Sequence, residues 1–158
     1  MKICTIIGAR PQFIKSAVVS KSIASMKMID EIIIHTGQHF DKNMSNIFFD
    51  EMEMRKPDYN LGINSLTKGA MVGRQLEALE ILLNKINPDF VLVYGDTNST
   101  LSGAIAAAQL NIPIGHVEAG LRSFNRELPE EINRILTDHL SEKCFVPTNN
   151  AYKNLLKE

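Results

Sequence analysis

The sequence predicts an α/β domain built on a doubly wound parallel sheet. Three observations carry this expectation. Short β-branched runs alternate with longer segments of helical periodicity. Most of the short runs are apolar at successive positions, as strands covered on both faces are. The length of 158 residues suits one domain with a real core.

The elements follow in order. "KICTII" (2–7) reads as the first strand and runs straight into Gly8. Pro11 fits the first turn of a helix, where its missing N–H costs nothing. "EIIIHT" (31–36) is the second strand, closed by Gly37. In "MSNIFFDEM" (44–52), Met44, Ile47, Phe48 and Met52 share one helical face. "RKPDYNLGINS" (55–65) is the longest irregular stretch, with room for a short strand at 59–61. Val72, Leu76, Leu79, Leu83 and Ile86 line the next helix, which Asn87-Pro88 ends. "FVLVY" (90–94) is a buried strand. The helix after it, "TLSGAIAAAQL" (100–110), is rich in Ala and Gly and can lie close against the sheet. "PIGHVE" (113–118) and "KCFV" (143–146) are the remaining strands, and Pro129 opens the helix between them.

Composition narrows the function classes. Hydrophobic residues make up 44% and charged residues 22%, with a net charge of -1. Neither a basic run nor an aromatic-rich basic patch is present, so no nucleic-acid partner is expected. No apolar stretch reaches the roughly 18 residues of a membrane span. The start lacks the small-residue cleavage pattern of a signal peptide. Cys4 and Cys144 stand apart in apolar surroundings without close His or Cys partners. They read as buried thiols rather than a metal site or disulfide, and the cytoplasm is the expected compartment.

Ligands of open α/β sheets bind outside the carboxyl ends of the strands, so each segment after a strand is a candidate part of one site. "GARPQFIK" (8–15) places Arg10 at a helix mouth and Lys15 about one turn further in. It fits phosphate contact and a plain strand–helix turn equally well. It matches neither G-x-G-x-x-G nor a Walker A loop. "HTGQHFD" (35–41) offers Gln38 and His39, which also fit helix capping. "GDTNST" (95–100) puts Asp96 at a strand tip ahead of Thr97, Asn98 and Ser99, which are good helix caps. "HVEAGLRSFNRELPEEINR" (116–134) ends a strand with Glu118 and opens a helix with Glu130 and Glu131, where the helix dipole favours acids. Glu130 and Arg134 are spaced for an ion pair. Arg126 and Glu127 read as loop charges, and His116 as part of the strand. Asp96, Glu118 and the "PEE" carboxylates converge with Arg10 at one sheet edge, which points to acid–base chemistry beside an anion site.

"GARPQFIK", "HTGQHFD", "VLVYGDTNST", "HVEAGLRS" and "PEEINRILTDH" together resemble the amino-terminal half of the non-hydrolysing UDP-N-acetylglucosamine 2-epimerases. The resemblance spans nearly the whole chain, and "HVEAGLR…PEE.NR" with "GDT" upstream is its most specific part. It implies a Rossmann-like domain forming one half of a GT-B-like, two-domain enzyme. The implied reaction interconverts UDP-GlcNAc and UDP-ManNAc, feeding surface polysaccharides, without a cofactor or catalytic metal. UDP is eliminated to leave a 2-acetamidoglucal and then adds back.

Carried over by motif, the resemblance implies catalytic roles for Asp96, Glu118 and Glu130. It implies substrate binding by Arg10, Lys15 and Arg134, and a regulatory UDP-GlcNAc site at Gln38, His39 and Arg74. It also implies a homodimer. Ala9 and Gln12 depart from the Thr and Glu of many members. The short "SFNREL" loop (123–128) is like that of archaeal forms and of epimerases acting on UDP-2,3-diacetamido-glucuronic acid. The family's second domain is not represented in these 158 residues, so residues 1–158 are expected to fold as the first domain and not to turn over substrate alone.

Overall fold

A computed structural model describes residues 1–38 and 55–158. Among them, parallel strands form a sheet in the order β3-β2-β1-β4-β5-β6. The strands are β1 (Lys2–Ile7), β2 (Asp30–His35), β3 (Tyr59–Asn60), β4 (Phe90–Tyr94), β5 (Ile114–Val117) and β6 (Lys143–Phe145). The helices are α1 (Arg10–Ala24), α2 (Lys68–Ile86), α3 (Asn98–Gln109), α4 (Pro129–Leu140) and α5 (Asn149–Leu155). This is the expected doubly wound, Rossmann-like sheet. The helix expected at 44–52 and His39 lie outside the described residues.

Strand periodicity divides the core into two layers. Cys4, Ile6, Ile34, Val91, Val93 and Ile114 face α2 and α3, where Leu79, Leu83, Ala104 and Ala107 pack on them. Ile3, Ile7, Ile33, Leu92 and Tyr94 face the opposite way and take Phe13 and Ala17 of α1. The Ala-rich helix approaches the sheet closely, since a Cβ on Gly103 would come within 3.0 Å of Ile6 and 3.1 Å of Val93. Burial pushes the Cys4 thiol up to about 12, in keeping with an inert core cysteine.

Element boundaries differ from the sequence expectations by a residue or two. β5 ends at Val117 rather than Glu118, because Glu118 turns the chain with φ 78°. β3 is confined to Tyr59–Asn60, and β6 ends at Phe145. α3 begins at Asn98, two residues early, because Thr97 caps it by accepting from the Thr100 N–H. Asn87 ends α2 in the left-handed conformation that precedes Pro88. No described helix is long and apolar enough to cross a membrane.

Candidate active site

The strand order reverses between β1 and β4, so their carboxyl ends open the crevice where such sheets bind ligands. Gln12 holds the two ends together. Its buried Oε1 accepts from the N–H groups of Gly8 (2.7 Å) and Ala9 (2.9 Å). Its Nε2 donates to the Tyr94 carbonyl (2.7 Å) and to the hydroxyls of Thr97 (3.0 Å) and Thr100 (2.9 Å). The Gly8 and Ala9 amides are already occupied, because Gln12 sits where a side chain reaches back over the first turn. Gly8 itself lies against Ser99 and Thr36, and a Cβ there would stand 2.1 Å from each hydroxyl oxygen. Arg10, the first residue of α1, is exposed at this mouth.

The catalytic candidates lie at the tips of β4 and β5. Glu118 occupies the left-handed region at φ 78°, a conformation disfavoured for a side chain with a Cβ. Hydrogen bonds from its N–H and that of Ala119 to the Phe145 carbonyl hold it there (3.0 and 3.1 Å). Its carboxylate pairs with Lys15 of α1. It also reaches the β4 tip, where a Cβ on Gly95 would be 3.2 Å from Glu118 Oε2. Next in the chain, Asp96 pairs with Arg134 of α4. Each of these two carboxylates therefore meets a cation from a different helix.

Glu130 is exposed in the first turn of α4 and lines a cavity of about 300 Å³ together with Asp96, Thr97, Asn133 and Gln38. The expected Glu130–Arg134 pair is not what forms. Arg134 instead binds Glu131 (2.8 Å) and Asp96, because the chain places Glu131 on the buried side of α4. Glu131 does more than complement a helix dipole. Its carboxylate accepts from the N–H groups of Ser123 and Phe124, each at 2.9 Å, and folds the 123–128 loop onto α4. Those bonds and Arg134 hold its carboxyl below the usual range, although burial, the largest influence, works the other way. Asn133 fixes the β4 tip by donating to the Asp96 carbonyl at 2.9 Å.

The regulatory candidates are not brought into one cavity among the described residues. Gln38 Oε1 accepts from the N–H (3.0 Å) and the hydroxyl (2.8 Å) of Ser99, so it ties β2 to the start of α3. Arg74 is exposed on α2 and bonds Glu77 at 3.3 Å, lining an adjoining hollow with Gly62 and Leu66, and Leu66 also borders the cavity that holds Gln38.

Sequence reasoning passed over several partners. Gln12 stands at the third position of α1, from which a Gln side chain reaches back to the amides before the helix, and that spacing is its signal in the sequence. His116 is buried with Nδ1 2.6 Å from Asp138 and Nε2 donating to the Gly95 carbonyl at 2.7 Å. Asp138 stands 22 residues away, so spacing could not reveal it.

Comparison with known proteins places this geometry among relatives. A family model described as UDP-N-acetylglucosamine 2-epimerase matches residues 21–158. The chain is 60% identical over 158 residues to the UDP-2,3-diacetamido-2,3-dideoxy-D-glucuronate 2-epimerase of Pseudomonas aeruginosa, covering 100% of this chain and 45% of that protein. It is 53% identical over 157 residues to a UDP-N-acetylglucosamine 2-epimerase of Methanococcus maripaludis, covering 99% of this chain and 42% of the relative. The crystal structure of the Methanocaldococcus jannaschii UDP-GlcNAc 2-epimerase in complex with UDP-GlcNAc and UDP superposes with a TM-score of 0.96. That match is 49% identical and covers 99% of this chain and 43% of the other. The chain thus spans less than half the length of the curated relatives it matches.

Proposed function

The chain belongs to the UDP-N-acetylglucosamine 2-epimerase family, and from that premise we propose that it carries the amino-terminal catalytic half of a UDP-HexNAc 2-epimerase. One observation carries the reading. Asp96 and Glu118 stand at the tips of the adjacent strands β4 and β5, beside the switch point of the sheet, each paired with a cation from a different helix, Arg134 and Lys15. That arrangement suits a sugar diphosphate. The cations match the leaving diphosphate, and the carboxylates match the positive charge and the proton at the sugar.

The chemistry explains the need for both acids. The C2 proton is not adjacent to a carbonyl, so it cannot be removed through an enolate. The C1–O bond breaks, its electron pair leaves with UDP, and a carboxylate takes the C2 proton, giving the 2-acetamidoglucal. Oxocarbenium character at C1 is stabilised by a nearby carboxylate. UDP oxygen then adds back to C1 while a proton reaches the opposite face of C2, which requires acid–base groups on both faces. Asp96, Glu118 and Glu130 fill those roles, and Arg10, Lys15 and Arg134 bind the diphosphate.

In this reading residues 1–158 are one Rossmann-like domain of a GT-B-like pair. The partner domain closes the crevice, and the whole enzyme is a cytoplasmic homodimer. Gln38, His39 and Arg74 belong to a regulatory UDP-GlcNAc site.

A second substrate is favoured by a specific relative. The 60% identity to the diacetamido-glucuronate 2-epimerase supports a sugar with a 3-acetamido group and a C6 carboxylate, with the mechanism unchanged. The test is to incubate the complete reading frame with each UDP-sugar, with and without a sugar acceptor. Epimerisation without acceptor supports the proposal and identifies the sugar. Turnover only with an acceptor refutes it in favour of glycosyl transfer.

A further inference from the structure

Behind the two catalytic carboxylates lies a buried chain of charged groups that the epimerase chemistry does not itself require. His116 of β5 is fully buried, and the side chains of Asp138 and Arg122 are each 1% exposed. His116 Nε2 donates to the Gly95 carbonyl at 2.7 Å, and its Nδ1 lies 2.6 Å from Asp138 Oδ1. Asp138 Oδ2 accepts from the Gly120 N–H at 3.0 Å and from Arg122 at 2.7 Å. Arg122 is held in turn by both carboxylate oxygens of Glu158, at 2.8 and 2.6 Å.

The ends of this chain grip the two segments that carry the catalytic acids. Gly95 precedes Asp96, and Gly120 lies two residues after Glu118. Gly95, Glu118 and Gly120 all have positive φ, at 64°, 78° and 79°. Such turns keep their geometry only where their surroundings over-determine them. Gly120 is also pressed from behind, since a Cβ there would stand 2.4 Å from the Ala151 carbonyl oxygen.

We propose that His116, Asp138 and Arg122 are positioning residues that set the relative pose of Asp96 and Glu118 across the bound sugar, an inference that rests on the epimerase reading. The hydrogen bonds also define the ring's orientation. The Gly95 carbonyl can only accept, so Nε2 carries a proton. Arg122 and the Gly120 N–H hold the Asp138 carboxylate in place against Nδ1. His116 therefore links the tip of β4 to α4 through both of its ring nitrogens.

The test uses the complete reading frame with His116→Gln, Asp138→Asn and Arg122→Lys. A 1 Å misplacement of reacting groups costs about 100-fold in rate. His116→Gln and Asp138→Asn are expected to lower kcat by about that factor per UDP-binding site, with the UDP dissociation constant little changed. They are also expected to raise the share of free UDP and 2-acetamidoglucal relative to epimer, because the returning proton is misplaced. That share does not depend on how much protein is folded, so a merely structural role would leave it unmoved. Arg122→Lys, which keeps the charge, is expected to retain more activity than Arg122→Met.

An unchanged product partition and unchanged kcat per UDP-binding site would overturn the proposal. If the unsubstituted protein epimerises no UDP-sugar, the functional reading fails instead. The chain is then judged by ¹⁵N NMR of the histidine ring. A proton on Nε2, with Nδ1 hydrogen-bonded to Asp138, upholds its geometry, and an Nε2 that carries no proton overturns it.

Discussion

Gln12 Nε2 donates to the Tyr94 carbonyl at 2.7 Å, joining the start of α1 to the end of β4 across the point where the strand order reverses. The same side chain caps the amides of Gly8 and Ala9. It is 2% exposed, so water cannot replace it. Gln12→Ala strands the N–H groups of Gly8 and Ala9, each costing about 1–3 kcal/mol when left unpaired, while the Tyr94 carbonyl keeps the Thr100 hydroxyl. Urea unfolding is expected to show a loss of about 2–4 kcal/mol, within the sum of about 2–6 kcal/mol for the two amides and reduced from its upper end by local relaxation. A loss below about 0.5 kcal/mol, the range of ordinary surface substitutions, would contradict the role given to Gln12.

Glu118→Gln keeps the shape of the side chain and removes its charge and its basicity. Turnover of UDP-sugar by the complete protein is expected to fall by about 10²–10⁴-fold, the usual contribution of a positioned acid or base. The protein should still bind UDP, because Arg10 lies on another element. Turnover at the unsubstituted level would show that Glu118 is not in the reaction.

Much of this site was legible before its structure. The apolar runs of β1, β4 and β5 mark buried parallel strands. Turn residues at their ends then place Asp96 and Glu118 at one edge of the sheet. The partners of these acids were not legible, because pairing depends on which face of a helix turns inward. Glu130 and Arg134 have ion-pair spacing, yet α4 buries Glu131 and sends Arg134 to Asp96. The backbone of Glu118 was equally hidden. A positive φ at a glutamate has no sequence signature, and here the Phe145 carbonyl on a neighbouring strand imposes it.

Acid should destabilise the fold through two buried carboxylates. Burial opposes the charge of both Asp138 and Glu131. Hydrogen bonds and nearby cations outweigh it and hold both below the usual carboxyl range. A depressed folded-state pKa means that the unfolded chain binds more protons in the acid window. The stabilisation is fully present above the ordinary carboxyl value of about 4 and is lost as pH falls through the folded-state values. Urea midpoints are expected to fall below about pH 4. Asp138→Asn should flatten that fall, and an unchanged acid slope in this variant would contradict the assignment.

The 158 residues expressed alone are expected to show no epimerisation of either UDP-sugar, because the proposed crevice needs a second wall to exclude water from the glycal. Product formation by the isolated chain, followed by NMR, would refute the two-domain reading.

The most direct test of the central claim is epimerisation by the complete protein in D2O. Breaking and remaking the C2–H bond through Asp96, Glu118 and Glu130 predicts a 2-epimer carrying deuterium at C2, with traces of free UDP and 2-acetamidoglucal. Epimer that retains the original protium at C2 would contradict proton exchange with a solvent-equilibrated carboxylate, and with it the mechanism assigned to this site.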